Sequence, residues 1–68
     1  TEETIQNKVL EFANLRGKTV DDVIKALNIT PAMKKLGVTA EQIEYTDNQR
    51  VAAVGIVTSW LTQVKKEA

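Results

Sequence analysis

A chain of 68 residues with nine basic and nine acidic side chains carries no net charge, which argues against a protein that works mainly by embracing phosphate backbones. It contains neither cysteine nor histidine, so disulfide staples, thiolate metal sites and the commonest general base are all missing. The length predicts one small domain over residues 1–68, of modest stability unless a partner or a second copy adds buried area. Unstapled small domains belong to reducing compartments, and neither a signal peptide nor a bilayer-length apolar run is visible, so a cytoplasmic location is expected.

Thr1 is placed to cap a first helix over Glu2–Arg16, with Glu2 and Glu3 in the acid-favouring first turn. Ile5, Val9, Phe12 and Ala13 form its apolar stripe, Leu15 lies on the edge, and Leu10 falls outside. Gly17 is expected to end this helix in the left-handed conformation. Thr19 opens a second helix whose face is Val20, Val23, Ile24 and Leu27, with Asn28 as its left-handed stop. Thr30-Pro31 begins a short third helix with Met33 and Leu36 as apolar contacts and Gly37 as its close. Thr39 with Gln42 reads as a capping box for a further turn, after which Ile43 and Tyr45 are expected to point inward. Leu27-Asn28-Ile29-Thr30 returns as Leu36-Gly37-Val38-Thr39, each copy reading as a helix stop followed by a helix start.

The longest element runs from Thr46 to Lys66. Its β-branched residues favour strands, but the stretch is far longer than the roughly 5–6 residues of a usual strand and has no proline. Thr46 with Gln49 forms a capping box, and Lys65 and Lys66 meet the negative end of the helix dipole. Val51, Val54, Ile56, Val57, Trp60, Leu61 and Val64 gather on one arc, opposite Gly55, Ser59, Thr62 and Lys66. The predicted fold is all-α: a small orthogonal bundle of four or five helices packed around this C-terminal helix.

Catalysis is not expected. Ser59 is the one serine, it sits mid-helix, and no base or sharp turn adjoins it. The Asp-Ser-Leu signature of phosphopantetheine carriers and the glycine-rich loops of phosphate binders are both missing. Glu41, Glu44 and Asp47 cluster without the alternating spacing of a calcium loop, and the first turns of two helices account for Glu41 and Asp47. No metal, cofactor, small-molecule substrate or membrane contact is expected.

Two readings remain. Glycine inside a helix costs about 1 kcal/mol relative to alanine, so Gly55, flanked by Ala52, Ser59 and Thr62, implies close approach of another helix. The approaching helix is either the first helix of the same chain, the preferred reading, or a second copy or protein partner, with the outlying Leu10 as a further contact. This makes the chain a non-enzymatic protein-interaction or assembly module capable of self-association, with Leu10, Ala52, Gly55, Ser59 and Thr62 as candidate interface. Trp60 is expected in the core, with a partner-anchoring role as the alternative. The second reading is DNA binding. Thr19 to Val38 resembles the helix-turn-helix pattern, with Asn28 where the turn glycine normally stands. The bases of this region add phosphate-contact candidates, Arg16, Lys18, Lys34 and Lys35, provided that they share a face, but a helix starting at Thr30 meets Gly37 too soon, and Lys34 occupies a normally aliphatic position.

Overall fold

Threonines and glycines set the helix boundaries. The computed structural model describes residues 2–67 (of Glu2, the backbone alone), and it contains four helices: α1 (Glu2–Arg16), α2 (Val20–Asn28), α3 (Pro31–Lys35) and α4 (Asp47–Glu67). The expected cap at Thr1 lies outside the described residues. Thr19 Oγ1 accepts from the Asp22 amide at 3.1 Å, Thr30 Oγ1 from the Met33 amide at 3.4 Å, and Pro31 occupies the first position of α3. The Thr46–Gln49 capping box closes in both directions, with Gln49 N–H to Thr46 Oγ1 at 3.4 Å and Thr46 N–H to Gln49 Oε1 at 3.0 Å.

Gly17 and Gly37 stop α1 and α3 at φ +65° and +83°. After α3 the Val38 amide reaches back to the Met33 carbonyl (3.1 Å) and the Gly37 amide to that of Lys34 (3.0 Å). This is the two-bond Schellman closure, and it drives Val38 into the core beside Met33. Asn28 behaves otherwise. Among the described residues only glycines have positive φ, so α2 ends in an ordinary tightened turn and Asn28 remains helical.

The internal echo therefore breaks down. Leu27 is buried whereas Leu36 is exposed, and Ile29 is exposed whereas Val38 is buried. Thr30 opens a helix, but Thr39 opens only a hydrogen-bonded turn to Gln42, which removes the fifth helix and takes Glu41 off any helix N-terminus. Gln42 keeps half of its expected capping role, since its Oε1 accepts from the Thr39 amide at 3.1 Å. Ile43, expected inside, is 72% exposed.

Contacts between α1 and α4 advance together along both helices. Thr4 shares a cavity with Asp47 and Val51, Phe12 meets Trp60 with ring centroids 5.3 Å apart, and Arg16 pairs with Glu67 at 3.2 Å. The two helices thus run in the same direction, and residues 17–46 carry the chain back across them. At about 1.5 Å per residue α4 is roughly 31 Å long, which matches the 33 Å long axis of the molecule. Ile5, Val9 and Ala13 of α1, Val23 and Leu27 of α2, Met33 of α3 and Ala53, Val57 and Leu61 of α4 meet in one core. No described helix is long and apolar enough to cross a membrane.

The buried line of α4 is Gln49, Ala53, Val57 and Leu61, at intervals of four residues. Val54, Ile56 and Trp60 flank it, but Val51, expected on the inner arc, is 76% exposed. The inner line includes a small residue and a polar one, and Val51 falls beyond the edge of the face that is covered.

Candidate functional site

Three amide side chains knit the segment from Leu36 to Thr46 onto the bundle. This connection has no helix or sheet of its own, and buried backbone groups must still find partners. Asn28, 1% exposed at the end of α2, donates through Nδ2 to the carbonyls of Gln42 (2.7 Å) and Ala40 (3.2 Å). Its Oδ1 accepts from the Tyr45 hydroxyl at 2.7 Å. Gln49 donates to the Leu36 carbonyl at 2.9 Å and accepts from Gln42 Nε2 at 2.7 Å. The Gln42 amide also reaches the Glu44 carbonyl at 2.8 Å, and Arg50 donates to that of Tyr45 at 3.1 Å. A neutral amide is both donor and acceptor, which lets each of these side chains join backbone segments without a charge to desolvate. Among the described residues no buried side-chain polar atom lacks a partner.

The strap so formed holds Ile43 outward between two shallow grooves. One is lined by Val20, Ile24 and Tyr45, the other by Asp21, Lys25 and Glu41. On the opposite flank of α2 lies a wider open groove of about 260 Å³ between α1, α2 and α4. Phe12, Val23, Ala26 and Trp60 make its apolar floor, and Arg16, Lys18, Asp22 and Gln63 its rim. Trp60 is half-buried: it packs against the core, with its ring tilted 39° to that of Phe12, and it also lines the groove. Arg16 stacks over Phe12 at 5.9 Å while pairing with Glu67. Like the Lys65–Glu11 pair at 3.2 Å, this ion pair is exposed and fastens the end of α4 to α1 with about 0–1 kcal/mol.

The five candidate interface residues do not form one surface. Gly55, Ser59 and Thr62 share the exposed outer face of α4, with Val51 and Thr58 beside them. Ala52 instead packs against the core, and Leu10, 49% exposed, lies on the side of α1 away from Glu11 and Thr4, the residues that flank α4. The preferred reading of Gly55 is overturned: a Cβ there meets nothing within 4 Å beyond its own helix, so α1 does not approach it. Thr62 donates its hydroxyl back to the Thr58 carbonyl at 3.0 Å, which leaves this face with little polar demand.

Among the DNA-contact candidates, Arg16 and Lys18 share the groove rim while Lys34 and Lys35 end α3. α3 has five residues, under two turns, and Asn28 is occupied by the strap rather than shaping a turn. Asp47 pairs with Arg50 in the first turn of α4, and Glu41 and Glu44 are exposed on the strap. Sequence reasoning missed the strap and the groove, although Asn28, Gln42 and Gln49 were individually visible as amides near helix ends. No protein-family model, curated protein or solved structure matches the chain.

Proposed function

We propose that the chain is a non-enzymatic protein-interaction module that self-associates through the outer face of α4. The observation that carries this reading is Gly55. It sits mid-way along a 21-residue helix, where glycine costs about 1 kcal/mol, and the fold leaves a side chain's worth of space around it. None of the described residues packs against Gly55, so in this reading the close approach is supplied by a second copy. Val51 provides an exposed apolar contact one turn earlier, and Ser59 and Thr62 keep the face low enough for a second helix to lie against its backbone.

Gly55→Ala is expected to stabilise the isolated domain by about 0.5–1 kcal/mol in urea denaturation, because it removes backbone entropy without a clash. Gly55→Leu should preserve the fold and weaken self-association relative to the wild type in sedimentation across a concentration series. Unchanged association in that variant would remove the α4 face from consideration.

The alternative, a small DNA-binding or regulatory protein using residues 19–38, predicts salt-sensitive binding to random duplex DNA. The short α3 and the zero net charge favour the opposite result. We expect no change in Trp60 fluorescence or anisotropy on titration with duplex DNA at low salt.

A further inference from the structure

We infer that Ile43 of one copy docks into the Phe12–Trp60 groove of a second copy, joining copies head to tail. This rests on the self-association reading but names a different surface, distinct from the outer face of α4. An isoleucine 72% exposed on a segment hydrogen-bonded on both sides is a pre-organised apolar knob. The Gln42 carbonyl before it is held by Asn28 and the Glu44 carbonyl after it by Gln42, so docking orders little that is not already ordered. The groove is the complementary hole: its floor of Phe12, Ala26 and Trp60 is apolar and open to solvent.

Charge supports the same pairing. Glu41 and Glu44 flank the knob in no ion pair among the described residues. On the groove rim, Arg16 is already held by Glu67 and Lys18 stands beside the carboxylate of Asp22. Lys18 enters no ion pair among the described residues, so it is available to a carboxylate from outside. Ala26 and Ile24 lie on opposite flanks of α2, so the groove and the knob face different ways and no copy can fill its own groove. A contact between two different surfaces of identical chains is heterologous and builds rings or open filaments.

Complementation tests this directly. Every protein in the test carries Gly55→Leu, which silences the α4 face, so failure of that face and failure of this contact stay separable. Ile43→Asp then removes the knob and keeps the groove, while Ala26→Trp fills the groove and keeps the knob. Both positions are exposed, and circular dichroism verifies that each variant folds. The Gly55→Leu parent is expected to associate with rising concentration, and Ile43→Asp to weaken that association about tenfold or more, as loss of a buried aliphatic anchor should. Each double variant alone should be monomeric, and their equimolar mixture should give a two-copy species with altered Trp60 emission. A parent that remains monomeric, an Ile43→Asp variant that associates as the parent does, or a mixture that yields only monomers overturns the contact.

Discussion

Leu27→Ala is expected to destabilise the domain by about 2–5 kcal/mol, the range for truncating a fully buried leucine. Leu27 is 0% exposed and sits where α2 meets the core residues of α1, α3 and α4. The lost transfer energy is joined by the cost of a cavity that the surrounding helices close only in part. Small domains have total stabilities of about 5–15 kcal/mol, and a chain of 68 residues belongs at the low end of that range. Leu10→Ala is the matched control: Leu10 is 49% exposed and lies outside the core, so its truncation should stay within about 0.5 kcal/mol of the wild type. Urea denaturation followed by circular dichroism gives both values. Equal effects from the two leucines would mean that the core has been wrongly located.

Asn28→Ala is expected to cost about 2–4 kcal/mol, although asparagine in a helix is ordinarily a poor residue. The substitution removes three hydrogen bonds, the buried one to the Tyr45 hydroxyl and the part-buried ones to the carbonyls of Ala40 and Gln42. Tyr45→Phe removes a single hydroxyl and should cost about 1–2 kcal/mol, mostly from stranding Asn28 Oδ1. The double substitution should cost less than the two singles together, because the two changes remove the two ends of one hydrogen bond. An Asn28→Ala protein as stable as the wild type, or two costs that simply add, would show that the strap is held by its apolar contacts at Val38 and Tyr45 instead. Because the strap presents Ile43, loosening it should also weaken the proposed head-to-tail contact, with Ile43 itself unaltered.

The fate of Asn28 illustrates the division between local and distant information. As a residue near a helix end it suggested a left-handed stop, which is its commonest local role. Its actual partners lie 12, 14 and 17 residues further along the chain, and no spacing rule relates an amide to carbonyls of a segment without regular structure. Gln49 shows both kinds of information in one side chain. Its bond to the Thr46 amide was readable as a capping box, whereas its bond to the Leu36 carbonyl depends on where α3 comes to rest.

What the sequence by itself determined was therefore everything settled within about one helical turn. Thr19, Thr30 and Thr46 start helices and Gly17 and Gly37 stop them, because each satisfies backbone groups three to five residues away. The α1 stripe of Ile5, Val9, Phe12 and Ala13 belongs to the same class, as do Val23, Ile24 and Leu27 of α2. Val20, expected on the same face, is exposed at the start of its helix. Tertiary structure alone decided which part of the broad α4 arc turns inward, that Val51 and Ile43 face solvent, and that Gly55 is not covered by α1. Those outcomes depend on the direction in which helices of different length dock, and on a strap fastened by amides from two of them. Docking is a competition among whole faces, in which a small Ala53 and a polar Gln49 join the buried line with Val57 and Leu61 because they fit the gap that their neighbours leave.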